Sequence, residues 1–456
     1  MATRFSRSIM REKIQLSDHF TYKKLFRFSL PTIIMMIFSS IYGVVDGIFV
    51  SNFAGQTEFA AINFIMPVFM IVGAVGFMMG AGGTAIVAKT MGEGNGELAK
   101  KYFSLFVYFT LVAGAILAAL GAIFIRPISA MLGAEGALLD ACERYGRIVI
   151  SAMPAFMLQN LFQNFFIVAE KPKIGLSVMI AAGCMNIVLD AILVTLLPQQ
   201  LKLEGAAIAT SVSQLTGGLI PFFYFARKNT SRLSLTRTHF YGKALLKAIT
   251  NGSSELMSNV SSSVVTMLFN MQLLKYAGES GVAAYGVIMY VGFIFVSIAI
   301  GYAIGTAPIV GFHYGAANKG ELKSLFSKST RIAIVGGGIL TASALALSTP
   351  LSMLFVGYDA ALFEMTKRGF IIFSFTFFFS WFSIFGSSFF TALNNGLISA
   401  ILAFLRTLVY QVVLILTLPL LLELDGIWFA SLLAEALAFI STWIFIIANR
   451  KRYGYL

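Results

Sequence analysis

A chain of 456 residues in which 58% are hydrophobic and 12% charged carries about half the charge of an ordinary soluble domain. That excludes a soluble fold, because apolar stretches of about twenty residues, each able to cross a hydrocarbon layer about 30 Å thick, recur from end to end. The net charge of +13 would suit a nucleic-acid binder, but Lys and Arg sit in short loops beside apolar stretches, where they set membrane topology.

In chain order, a polar segment (1–27) precedes a first span that is too long for the h-region of a leader and lacks an A-x-A-like exit, so it is expected to stay as a helix. Spans are expected near 28–50, 59–82, 102–125, 145–168, 174–197, 205–226, 249–274, 281–311, 330–355, 366–392, 398–422 and 426–449. The resulting plan is a cytoplasmic segment 1–27, a six-helix lobe 28–226, a basic connector 227–248, a second six-helix lobe 249–449 and a tail 450–456. With the N-terminus inside, 25 of the 33 Lys and Arg fall inside and seven outside, with Arg406 within a span. Both termini are therefore expected in the cytoplasm. Cys142 and Cys184 have no ligand spacing, and His19, His239 and His313 are scattered and outside span interiors, so no metal centre or cofactor is implied.

The halves repeat. GGTAIVAKTMGEGNGELAK (82–100) returns as GTAPIVGFHYGAANKGELK (305–323), and LKLEGAAIATSVSQ (201–214) as LELDGIWFASLLAE (422–435). Six spans per half give both halves the same orientation, so the fold class is an all-α membrane protein. Its twelve helices form two lobes related by a pseudo-two-fold along the membrane normal, with a cavity between them.

Ionisable groups within spans are costly and mark function by default. Asp46 in span one and Asp190 in span five both fall roughly 7–10 Å outward of the midplane at 1.5 Å per residue. Thr210 reaches a similar depth in span six, and Asn186 lies one turn from Asp190 on the same face. Two carboxylates, an amide oxygen and a hydroxyl at one level can hold a hard monovalent cation or share a proton. A separate packing role for each acid is the alternative. At the repeat offset of 221, Asp190 maps to Gln411, and Leu268, Phe269 and Asn270 lie near the counterpart of Asp46, so the coupling acids are expected in the first half alone.

Glu255 in span seven is either a second proton or substrate site or a helix-start carboxylate favoured by the dipole. Arg406 and Glu435 read as a structural ion pair or hydrogen-bonded packing. Asn160, Gln163 and Asn164 form a polar stripe in span four that either lines the cavity or bonds between helices. Pro31 and Pro308 interrupt spans one and eight and supply places to bend. The 44 Phe and 20 Met suit a cavity that adapts to varied apolar shapes, and lipid-facing and packing roles explain them equally well.

The stretches LPTIIMMIFSSIYGVVDGIFV, GTAIVAKTMGEGN, NIVLDAILV, LEGAAIAT, PIVGFHYGAAN and LDGIWFASLLAE together resemble the multidrug and toxic compound extrusion (MATE) transporters, over essentially the whole chain. The resemblance implies a monomeric secondary antiporter. It would exchange H⁺ or Na⁺ for amphipathic, often cationic small molecules by rocking two lobes within membrane lipid. It also implies that Asp46, Asn186, Asp190 and Thr210 bind the cation, with Tyr145 and Asn164 nearby. No G-x-x-x-x-G-K-[ST] loop for ATP occurs, which fits a gradient-driven process. A lipid-linked oligosaccharide flippase of the same superfamily would need a cationic cavity, for which Arg406 is the basic residue well inside a span. A membrane-embedded enzyme would need converging His, Cys or metal ligands at membrane depth.

Overall fold

In hydrocarbon the backbone must satisfy its own polar groups, which restricts a chain of this composition to helices. The structure, a computed structural model, describes residues 14–53 and 56–456, with the side chains at 43, 44, 46–53, 56 and 59 outside the description. The first lobe holds α1 (Tyr22–Phe53), α2 (Gln56–Gly92), α3 (Gly96–Met131), α4 (Gly136–Ser151), α5 (Met153–Val168), α6 (Pro172–Leu196) and α7 (Lys202–Ala226). The second holds α8 (Gly242–Gly315), α9 (Lys319–Val356), α10 (Ala360–Ser374), α11 (Thr376–Ala392), α12 (Gly396–Phe404), α13 (Tyr410–Thr417) and α14 (Pro419–Tyr453).

These make twelve spans in two six-helix lobes. Span four is α4 with α5, and span ten is α10 with α11, bent by 43°. Helix α8 contributes two spans because the chain reverses at Gly278 (φ 63°). Phe269 stacks on Tyr285 with ring centroids 5.1 Å apart, whereas their separation of sixteen positions in sequence would span about 24 Å of straight helix. A π turn, Leu405–Val409, joins α12 to α13 inside span eleven. The second lobe's first helix begins at Gly242, ahead of the expected 249, so the irregular connector is shorter than the sequence suggested.

Backbone detail carries the repeat further than residue identity does. Asn95 and Asn318 cap α3 and α9 alike, accepting from Leu98 N at 3.3 Å and Glu321 N at 3.0 Å. Gly94 and Ala317 both take positive φ (82° and 53°) before those caps, and Glu170 and Asn394 (58° and 59°) do so before α6 and α12. The breaks at Ala152 and Phe375 are likewise counterparts, 223 residues apart.

The lobes meet through glycine. Gly82 in α2 faces Gly252 in α8, where a Cβ on either would fall on backbone of the other lobe. The repeat turns this pair into Gly305 against Ser29 of α1, and turns Gly92 against Phe312 into Gly315 against Lys89. Small residues allow such backbone approach in lipid, where apolar burial gives helices little reason to associate. All these contacts lie toward the end that carries the basic loops. Toward the opposite end, large side chains such as Met66, Met70, Met267 and Met271 are exposed.

A strap of residues 14–20 closes the basic end. Leu16 N donates to Glu170 Oε1 of the first lobe at 3.0 Å, and Phe20 N to Glu321 Oε1 of the second at 2.9 Å. His19 Nδ1 lies 2.6 Å from Glu321 Oε2, Arg232 of the connector pairs with Glu170 at 3.2 Å, and Leu16 and Phe20 are fully buried. His313 is buried beside Phe20, ring centroids 6.5 Å apart.

Gly82→Val is expected to force the seam apart at an overpacking cost of about 1–3 kcal/mol. It should lower the melting temperature and raise thiol labelling of a cysteine introduced at Thr32, which is buried in the seam. Gly338→Ala, whose Cβ meets nothing within 4 Å, should leave labelling unchanged.

Candidate cation site in the first lobe

Helices α1 and α6 run the same way and pack side by side, with Gly183 of α6 seated against Phe38 of α1. From that contact, Asp46 lies eight residues further along α1 and Asp190 seven along α6, or about 12 and 10.5 Å at 1.5 Å per residue. The two backbone positions are therefore level. The Asp46 side chain lies outside the described residues. Asp190 is fully buried, and Asn186, one turn nearer the basic end, is 2% exposed.

Helix α7 runs antiparallel to α6, in register through Ser213 Oγ donating to Ala182 O at 2.8 Å and Gly205 against Leu193. That register sets half-buried Thr210 opposite Asn186. Asn186 Oδ1 and Thr210 Oγ1 are buried with no hydrogen-bond partner. One turn on, Gln214 Oε1 is buried and unpartnered as well. Sequence reading passed over Gln214, because a single Gln amid small residues in span six carries no mark of its surroundings. Buried polar atoms normally have partners, and each exception needs an account. A patch of acceptor oxygens beside a buried carboxylate has the chemistry to receive a proton or a hard monovalent cation.

The remaining candidates separate. Tyr145 of α4 is buried, its ring packed on Phe69 at 6.2 Å; Ser211 Oγ to Ile148 O (3.4 Å) sets α4 beside α7 and brings Tyr145 to the level of Asp190. Asn164 turns toward α2, where Gly80 makes room for its amide and Asn164 Nδ2 donates to the backbone carbonyl of buried Asn160 at 3.0 Å. Gln163 turns instead to α6 and Met179 Sδ at 3.2 Å, so the polar stripe divides between two helix contacts. Pro31 and Pro308 stand inside α1 and α8 beside the seam, and Pro308 is buried. In the second lobe Glu255 is half-buried on α8, and Arg406 Nε donates to both carboxylate oxygens of Glu435, at 3.0 and 2.9 Å.

A family model described as MatE matches residues 31–192 and again 256–417. The chain belongs to that family. Among curated relatives, the multidrug export protein MepA of Staphylococcus haemolyticus is 29% identical over 305 residues, 66% of each chain. MepA of Staphylococcus aureus is 26% identical over 306 residues, 67% of each. The chain thus spans about two thirds of the length of these relatives. Two solved structures share the fold almost throughout. One, described as MATE in the straight conformation, has a TM-score of 0.90 at 22% identity and covers 98% of this chain and 99% of its own. The other is described as the outward-facing conformation of a multidrug resistance MATE family transporter of the MOP superfamily, with a TM-score of 0.89 at 23% identity, covering 96% and 99%.

The two MatE matches also correct one correspondence. They end 225 residues apart (192 and 417), whereas the turns entering spans five and eleven stand 224 apart (Glu170, Asn394). The π turn at Leu405–Val409 inserts the extra residue. Gln411 is therefore the counterpart of Asn186, and Asp190 corresponds to buried Ile415, not to Gln411 as the offset of 221 implied.

Thr210→Val separates a binding role from a packing one. The hydroxyl makes no bond in the fold, so an apolar isostere should leave the melting temperature unchanged or raise it. The increase in melting temperature produced by added Na⁺ or acid should shrink in the same variant, as read by thermal unfolding in detergent.

Proposed function

We propose that this protein is a secondary active exporter of amphipathic, often cationic small molecules, driven by inward movement of H⁺ or Na⁺ through the first lobe. The observation that carries this is the set of unpartnered buried oxygens, Asn186 Oδ1 and Thr210 Oγ1, at the level of buried Asp190. Membership of the MATE family and the likeness to proteins named for multidrug export support the direction of transport.

With the basic end taken as cytoplasmic by its Lys and Arg, the glycine seam and strap close the cytoplasmic side, and the cleft between lobes faces outward. A cation at Asp190 would favour this state and the release of substrate. Opening inward would part the seam, free the cation and admit substrate. Only unequal affinity of the cation for the two states can bias such an exchange. Pro31 lies on the helix that carries Asp46, which gives cation binding a place to couple to a bend. The flippase alternative requires free positive charge in the cleft, and the guanidinium of Arg406 is instead taken up by Glu435.

The test is efflux of a cationic dye from proteoliposomes under imposed pH or sodium gradients. Asp190→Asn and Asp46→Asn should each cut gradient-driven efflux by about ten- to a hundred-fold, the loss of one or two bonds to a charged group. Gradient-independent dye binding should be retained. Full gradient-driven efflux by both variants at normal protein levels would sink the assignment.

A further inference from the structure

The corrected repeat register shows what the second lobe holds in place of the cation site. Asp190 and Asn186 have Ile415 and Gln411 as counterparts, 225 residues on, and Thr210 and Gln214 have Ser431 and Glu435, 221 residues on in the second repeated stretch. The oxygen donors persist, and Gln411 Oε1 is buried and unpartnered like Asn186 Oδ1 and Gln214 Oε1. The acid has moved two turns, from the Asp190 position to that of Gln214, and a positive charge has appeared beside it. Arg406 Nε bonds both oxygens of Glu435, with the two side chains 20% and 10% exposed. Arg406 also lies within electrostatic range of half-buried Glu255.

The backbone is adapted to this arrangement. Arg406 sits in the π turn, whose extra residue rotates the positions beyond it by about 100° relative to an unbroken helix. Such turns cost regular hydrogen bonding and gather at functional positions.

We propose that Arg406 is a tethered counter-ion that fixes how many exchangeable cations the protein carries. The first lobe takes its cation from solution, and the second lobe carries its own on a side chain. Glu435, Gln411 and Ser431 would form a second exchangeable site but for the guanidinium. A buried carboxylate stripped of its partner is left with uncompensated charge, which a proton or Na⁺ then supplies. This deepens the transport reading and rests on the first lobe holding the exchangeable cation.

The experiment measures coupling stoichiometry in proteoliposomes, from the cation gradient at which net movement of ethidium stops. If the wild type moves n cations per dye, Arg406→Gln should move n + 1, and Arg406→Lys, which restores the tethered charge, should return to n. In an Asp190→Asn background, Na⁺ or acid should no longer raise the melting temperature, and adding Arg406→Gln should bring one such response back. The paired variant Arg406→Gln with Glu435→Gln should stay at n. If Arg406→Gln does not fold, Arg406→His carries the test, giving n at pH 5.5 with the imidazole charged and n + 1 at pH 8. A stoichiometry of n in Arg406→Gln, with no response regained in the double variant, overturns the proposal. Wild-type n in Asp190→Asn would instead overturn the first-lobe assignment, so the two failures are distinguishable.

Discussion

Two backbones brought together without side chains between them set the geometry of this molecule. Where Gly82 lies against Gly252, and where the repeat places Gly305 against Ser29, the lobes touch along their main chains near the basic end. Water supplies no apolar driving force between helices in lipid, so contact there depends on dispersion over closely fitted surfaces. The fit is confined to one end of the spans, which makes the pair of lobes a hinge-like wedge. The strap and connector add charged and hydrogen-bonded ties at that same end, where Glu170 and Glu321 each accept a backbone N–H from the strap.

The lobes share a scaffold but differ in electrostatics. Their caps, positive-φ turns and helix breaks coincide under one operation, so each half offers the same shell of small residues and oxygen atoms. Into that shell the first half places a buried aspartate, and the second places an ion pair. In the proposed mechanism this division lets one half respond to the cation while the other remains electrostatically fixed. A rigid partner is useful to a two-state machine, because movement of one lobe is defined against the other.

Much of this was legible in the sequence. Hydropathy and the short basic loops located the spans, and two matching stretches established the repeat, because both depend on composition along a single helix. Asp46 and Asp190 could be set at one level because helical rise converts residue number into depth. What escaped depends on neighbours far away in the chain. Whether Gln214 or Asn186 has a partner is decided by α4, α6 and α7 together. The split of the Asn160–Asn164 stripe follows from where Gly80 and Met179 happen to stand. The π turn leaves no local signature, yet it adds one residue to span eleven, and an offset carried over from span six misplaces Gln411 by a full turn.

The strap has a bearing on how the chain is made. Phe20 finds its carboxylate partner at Glu321, 301 residues downstream, so this tie cannot form until eight spans have entered the bilayer. The strap is thus in place only after most of the second lobe's partners for it have been made. The half-finished protein, its first lobe already in lipid, exposes the face of α2 that will meet α8. Closure of the basic end, which needs Glu170 from one lobe and Glu321 from the other, therefore reports that both halves have been delivered.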